Sequence, residues 1–330
     1  MAGKVYNFGA GPAMLPEAVM QKVQAEWFNF QDLGVSVIEV SHRAKQFEQV
    51  LLKAQETFRM LTNLPDNYKI LFVHGGARMQ FSVLPMNLAG RSSSKKCLYA
   101  ETGNFAKLAN KDAKNFCDVK IIASSAESNY DHIPVITPEM VDQDAAYLHI
   151  TSNNTIYGSR YNAFPETGDV PLIADQTSEI LSREIDYSQF GCIYAGLQKN
   201  LGPSGTAIVV IREDLLGHAS EQTPVLLNYE QCAKDNSLTN TANTFAIYVT
   251  GLVLEWLQEQ GGVAAIEKVN EQKAKTLYDI IDAGDYFRGV IKPEFRGTMN
   301  VSFNLPSEEL EAKFLAEAGA QGLYALKGHR

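Results

Sequence analysis

The stretch Gly191-Cys192-Ile193-Tyr194-Ala195-Gly196-Leu197-Gln198-Lys199-Asn200-Leu201-Gly202-Pro203-Ser204-Gly205 runs directly into Thr206-Ala207-Ile208-Val209-Val210-Ile211. Its two short apolar runs read as buried strands, and the Gly- and Pro-rich piece between them reads as a turn. Lys199 stands in that turn. Burying an ammonium there is costly and there is no helix for it to decorate, so the position calls for a chemical explanation. Desolvation lowers the pKa of a lysine amine, and a neutral amine attacks carbonyls, which suits a Schiff-base lysine. For one lysine taken alone, a solvated loop side chain stays open as the alternative.

Working outward, Val170-Pro171-Leu172-Ile173-Ala174-Asp175 is a second strand-like run, and it ends on an aspartate. Pyridoxal phosphate withdraws electrons only while its ring nitrogen stays protonated, and a carboxylate partner usually secures that proton. An aspartate at the carboxyl end of one strand and a lysine just past the next would meet at one edge of a parallel sheet, where open α/β sheets bind ligands. Asp175 followed by Gln176-Thr177-Ser178-Glu179 also fits a helix N-cap, so both readings stand at this point.

Length and charge bound the rest. The chain has 330 residues, 45% hydrophobic and 20% charged, enough for a large core and for two domains. Lys and Arg number 29 against 38 Asp and Glu, a net charge of −9, which argues against neutralising the phosphates of a nucleic acid. The N-terminal residues lack an apolar leader, and no apolar run reaches the roughly 18 residues of a membrane span. A cytoplasmic enzyme is expected, with no membrane and no nucleic-acid partner. Cys97, Cys117, Cys192 and Cys232 are widely spaced, without a C-x-x-C pair or histidines at ligand spacing, so buried free thiols are expected and no metal.

Strand-like runs over 70–74, 96–100, 119–123, 145–151, 170–174, 191–195 and 206–211 alternate with helical periods over 79–88 and 105–116, after two more helical stretches at 16–28 and 43–62. Strands joined by helix-length connections predict β-α-β units and a mainly parallel sheet. Beyond about Ala233 the pattern changes to long helices over 244–260 and 263–282, strand-like runs at 288–291 and 298–303, and a helix over 306–318. The expected division is a large α/β domain over 16–260 and a smaller α+β domain made of 1–15 with 261–330.

Three other places suit anions. Gly75-Gly76-Ala77-Arg78 follows a strand and opens a helix, so its N–H groups and the positive helix end could cradle a phosphate. Gly9-Ala10-Gly11-Pro12 is a weaker candidate, because Pro12 removes an N–H. Ser41-His42-Arg43 offers a guanidinium for a carboxylate or phosphate, with a solvated helix-start charge as its alternative.

Together these residues carry a family resemblance. Asn7-Phe8-Gly9-Ala10-Gly11-Pro12-Ala13, Ser41-His42-Arg43, Gly75-Gly76, Ser152-Asn153-Asn154-Thr155-Ile156, the strand ending at Asp175, Tyr194 to Asn200, Asn240-Thr241 and Leu326-Lys327-Gly328-His329-Arg330 resemble the phosphoserine aminotransferases in family order from end to end. The resemblance implies a fold-type I enzyme using pyridoxal 5'-phosphate, homodimeric, with shared active sites. Lys199 would form the Schiff base and Asp175 would pair with the ring nitrogen. Ala77, Arg78, Thr155 and Gln198 would contact the cofactor, and Asn240 and Thr241 would reach its phosphate from the other subunit. Phe105 would face the ring where the family has a tryptophan. His42, Arg43, His329 and Arg330 would hold the substrate's phosphate or side-chain carboxylate, the last two from the partner subunit. The implied reaction is ping-pong amino transfer between glutamate/2-oxoglutarate and phosphoserine/3-phosphohydroxypyruvate, in serine biosynthesis.

Two departures from the family pattern shape the alternatives. Thr241-Ala242-Asn243-Thr244 stands where the family has Thr-Pro-Pro-Thr, and the sequence stops at Arg330, before the family's Gly-rich stretch and its arginine for the substrate α-carboxylate. The alternative expectations are a pyridoxal-phosphate-binding homologue with weak or no transaminase activity, or another fold-type I enzyme. A desulfurase is disfavoured by Gln198, since desulfurases carry a histidine before the lysine.

Overall fold

The computed structural model describes residues 5–328. In chain order its elements are β1 (Tyr6–Asn7), α1 (Glu17–Ala25), α2 (Lys45–Thr62), β2 (Tyr68–His74), α3 (Gly76–Leu88), β3 (Lys96–Glu101), α4 (Asn104–Ala113), β4 (Asp118–Ser124), β5 (Leu148–Thr151), β6 (Leu172–Asp175), β7 (Cys192–Gly196), β8 (Thr206–Arg212), α5 (Tyr229–Lys234), α6 (Thr244–Glu259), α7 (Gly262–Asp282), β9 (Arg288–Gly289), β10 (Phe303–Asn304), α8 (Glu308–Ala320) and β11 (Leu323–Tyr324).

Seven of these strands build one sheet in the order β2-β8-β7-β6-β5-β3-β4. Every strand expected between residues 70 and 211 is present in it. β8 runs antiparallel to both β2 and β7, while the β7–β6, β6–β5, β5–β3 and β3–β4 pairings are parallel. All strands except β8 therefore point the same way, and their carboxyl ends share one edge. The central strands β5, β6 and β7 are buried along their whole length, which is why they read as unbroken apolar runs and not as alternations.

Apolar residues fill both faces. One face packs Leu98, Leu148, Ile150, Leu172, Ile193 and Ile208 with Phe47, Leu51 and Phe58 of α2 and Ala246, Ile247 and Leu254 of α6. The other packs Leu71, Tyr99, Tyr147, Ile173, Tyr194 and Val209 with Phe81 and Leu84 of α3. The α2 helix ends at Asn63 in the left-handed conformation, a common helix stop. Cys97, Cys192 and Cys232 are buried free thiols as expected, and Cys117 is half-buried.

Toward the C-terminus the strands are shorter than the apolar runs suggested. Of 288–291 only Arg288–Gly289 pairs, and of 298–303 only Phe303 lies in a strand. Residues 295–302 instead lace against the loop after β5, through Arg160 N–H to Phe295 O at 3.0 Å and Gly297 N–H to Gly158 O at 2.7 Å. At the outer edge β1 pairs in parallel with β11, Tyr6 opposite Leu323, which joins the two ends of the described chain.

Candidate active site

The shared carboxyl edge collects the predicted site. Asp175 is the last residue of β6, Lys199 follows β7, Thr155 follows β5, Phe105 follows β3, and Gly75 to Arg78 follow β2. Register fixes part of this, because Thr151 and Tyr194 flank Asp175 directly on the two neighbouring strands.

Lys199 donates from Nζ to Thr155 Oγ1 at 2.5 Å, and its Nζ lies 5.7 Å from the centroid of the Phe105 ring. Burial pulls its amine down to about 8 from the usual lysine value, and the opposing charge of Asp175 limits the fall. The stem of the lysine is confined by the N-terminal segment: a Cβ on Gly11 would meet Lys199 Cγ at 3.0 Å and Cε at 3.1 Å. Ala13 N–H reaches Gln198 O at 2.8 Å, tying that segment to the lysine turn. The Gly9-Ala10-Gly11-Pro12 piece thus serves the lysine's packing, and Gly11 works by having no side chain.

Asp175 is 5% exposed. Burial raises its carboxyl above the ordinary aspartate value, while Thr177 and the charge of Lys199 pull the other way. Oδ1 accepts both the Thr177 N–H at 3.0 Å and the Thr177 hydroxyl at 2.6 Å. The residues after Asp175 form a turn and no helix, so the carboxylate caps that turn with one oxygen. Oδ2 makes no hydrogen bond among the described residues. A buried carboxylate with one oxygen anchored and the other free fits a protonated ring nitrogen. On the tyrosine-lined face of the sheet, His149 Nε2 pairs with Tyr194 OH at 2.8 Å, and burial drops the imidazole to about 3, so it stays uncharged.

The α3 N-terminus supplies the anion end. Gly75 and Gly76 both adopt positive φ, 91° and 70°, and no side chain caps the helix. Its first N–H groups are therefore orphan donors for a phosphate. Ala77 is buried there, and the half-exposed Arg78 pairs with Asp112 at 2.7 Å. Gln198 is half-buried and curls over Gly196. These residues together fit pyridoxal phosphate: a confined amine, an aromatic face, a buried acid and a phosphate cradle.

Four predicted residues make no hydrogen bond or ion pair with that group among the described residues. His42 and Arg43 sit in the turn before α2, where Arg43 N–H is capped by Ser41 Oγ at 3.2 Å and His42 Nε2 is buried without a hydrogen-bond partner. Asn240 is half-buried and Thr241 exposed in the loop before α6. Arg43 acts electrostatically on Asp235 of that loop, so the two segments are neighbours. Among the described residues no hydrogen bond or ion pair joins either segment to Lys199. His329 and Arg330 lie outside the described residues. Sequence reasoning gave Thr177 no site role, although the Asp-x-Thr spacing of an Asx turn was visible; Asn153 and Ser178, quoted only within longer stretches, and Asn300 were given none either.

A fold with this edge and this lysine defines a pyridoxal-phosphate transferase of fold type I. The profile described as aminotransferase class-V matches residues 5–329, and the chain belongs to that family. It is 46% identical over 327 residues to the phosphoserine aminotransferase of Bacillus cereus, covering 99% of this chain and 90% of that one. The solved phosphoserine aminotransferase of Bacillus circulans subsp. alkalophilus superposes with a TM-score of 0.96 at 44% identity, over 100% of this chain and 91% of that one. A second solved phosphoserine aminotransferase, studied for radiation damage of its Schiff base, gives 0.95 at 46% identity, with 99% and 91% covered.

Proposed function

We propose that the protein is a phosphoserine:2-oxoglutarate aminotransferase, moving an amino group between glutamate and 3-phosphohydroxypyruvate in serine biosynthesis. Bound pyridoxal phosphate supplies an aldehyde for an amine and a ring that draws electrons from the substrate Cα. The chain's own residues do the rest. Lys199 Nζ is the amine that would hold the cofactor and, when free, would act as the base that takes the substrate's Cα proton and returns it. An amine near 8 leaves about a tenth of it neutral at pH 7, enough for a base without losing the proton-carrying form. Asp175 would pair through Oδ2 with the ring nitrogen, Phe105 would face the ring, and Ala77, Arg78, Thr155 and Gln198 would hold the cofactor. The observation that carries this reading is the convergence of Lys199, Thr155 and Asp175 at the ends of three adjacent strands.

The reading includes a cytoplasmic homodimer in which Asn240 and Thr241 reach the partner's cofactor phosphate. His42 and Arg43, with His329 and Arg330 of the second copy, hold the substrate's phosphate or side-chain carboxylate. Two features support it: among the described residues neither the His42–Arg43 nor the Asn240–Thr241 segment bonds to Lys199 of its own chain, and His42 Nε2 is buried without a hydrogen-bond partner. No helix among the described residues is long and apolar enough to cross a membrane. We infer two domains, 16–260 and 1–15 with 261–330; the β1–β11 pairing supports the second. Borohydride reduction of the loaded protein followed by peptide mapping is expected to label Lys199. The cofactor's visible band is expected to vanish on adding glutamate and return with 3-phosphohydroxypyruvate. A label elsewhere, or a spectrum indifferent to both substrates, would refute the proposal.

A further inference from the structure

A continuous hydrogen-bond chain runs from the lysine to the C-terminal part of the protein. Lys199 Nζ donates to Thr155 Oγ1; the Thr155 hydroxyl donates to Ser178 Oγ at 3.1 Å; the Ser178 hydroxyl donates to the main-chain carbonyl of Asn153 at 2.9 Å. Asn153 Nδ2 donates to Ser178 Oγ at 2.9 Å and to Asn300 Oδ1, also at 2.9 Å. Thr155, Ser178 and Asn153 are buried at 8%, 5% and 3% exposure, so water does not compete for these bonds.

The direction of the chain is not free. A hydroxyl has one proton, and a carbonyl oxygen can only accept. Ser178 spends its proton on Asn153 O, so the Thr155 hydroxyl must be the donor in its bond with Ser178. With its proton committed, Thr155 Oγ1 can offer Lys199 only lone pairs. The Asn300 carbonyl sets the last link by holding the Asn153 amide with its nitrogen toward Ser178. Asn300 is itself built into the 295–302 segment, which is sewn to the loop carrying Thr155 by the bonds at Gly158 and Arg160 and by Ser302 Oγ to Ile156 O at 2.9 Å. A Cβ on Gly297 would meet Asn153 Oδ1 at 2.6 Å, so glycine is needed there for the Asn153 side chain to take this position.

We propose that Ser178 and Asn300 are positioning residues for Lys199, acting through Thr155 and Asn153 to keep the Thr155 oxygen an obligate acceptor for the lysine amine. The proposal rests on the reading of Lys199 as the cofactor lysine. It adds that the 295–302 segment is wired to that amine, so the placement of this segment sets how readily Lys199 holds its proton. The neighbours acting on Lys199 are the carboxylate of Asp175, the Phe105 ring, the Thr155 hydroxyl and the Gly11 backbone. Of these, Thr155 alone is oriented by the chain.

The test uses the full-length protein loaded with pyridoxamine phosphate, which has no aldehyde and leaves the lysine amine free. Competitive acetylation against pH, with the Lys199 peptide quantified by mass spectrometry, reads the amine's midpoint directly. In Ser178→Ala the Thr155 proton is released to swing toward the amine, which loses its acceptor, and the midpoint is expected to fall by about 0.5 to 1 pH unit. Asn300→Ala, at the half-buried outer end of the line, is expected to shift it the same way by less, and Asn300→Asp, which keeps the acceptor oxygen, to restore it. In steady state the variants are expected to lower kcat and leave KM within about twofold. Unchanged midpoints in both Ala variants overturn the proposal, as does an Asn300→Asp midpoint no closer to wild type than that of Asn300→Ala. Should Ser178→Ala not fold, the Asn300 pair decides alone. Borohydride labelling away from position 199 would instead overturn the cofactor reading, an outcome separate from any midpoint.

Discussion

Asp175 and Thr177 are joined twice, the threonine giving both its N–H and its hydroxyl to the same carboxylate oxygen. This pins a buried acid in one orientation and leaves the second oxygen without a hydrogen bond among the described residues. Asp175→Asn keeps the shape and removes the charge, so a ring nitrogen there would no longer be held protonated. A loss of about a hundredfold or more in kcat is expected with the fold intact. Thr177→Ala keeps the acid and the main-chain N–H at Oδ1 but removes the hydroxyl donor. The expected cost is about 1 to 3 kcal/mol in unfolding free energy, measured by denaturant titration.

Lys199 is a base whose folded value, about 8, lies below its ordinary 10.5. The folded state therefore binds fewer protons than the unfolded state between those two values, and stability from this group rises as pH rises through the window. The full difference corresponds to about 3 kcal/mol. Comparing cofactor-free wild type with Lys199→Met by denaturant titration, the substitution is expected to stabilise near pH 7 and to lose that advantage by about pH 10.5. A difference that does not change with pH would contradict the burial of this amine.

Gly11 is required by the lysine stem as well as by its backbone, which has φ of 147°. Gly11→Ala would push a methyl into Lys199 Cγ and Cε. It is expected to cost about 1 to 3 kcal/mol from the strained backbone alone, and to lower the cofactor retained after gel filtration, read by absorbance.

Phe105 offers the cofactor ring a smaller face than a tryptophan would. Phe105→Ala is expected to weaken cofactor binding by about 0.5 to 1.5 kcal/mol, and Phe105→Trp to strengthen it. Equilibrium titration of the cofactor-free protein with pyridoxal phosphate measures both.

Much of this protein was legible in its sequence because the signals are local. The seven strands of the main sheet announce themselves as apolar runs between turns, and the runs at β5, β6 and β7 are unbroken because both sides are covered. Lys199 and Asp175 stand out because an ionisable residue next to such a run must be explained. The C-terminal strands were less legible. Apolar residues at 298–303 satisfy a strand pattern, yet Thr298, Asn300 and Ser302 bond through their side chains to the loop after β5, more than a hundred residues away.

Sequence by itself determined the fold class, the family and the identity of the lysine and its acid, since each depends on residue type and spacing along the chain. Tertiary structure alone decided which oxygen of Asp175 is free, that Gly11 lies on the lysine, and that a line of hydrogen bonds joins Lys199 to Asn300. Those facts depend on directions in space, on where a proton points and where a Cβ would fall, and residue spacing carries no such information.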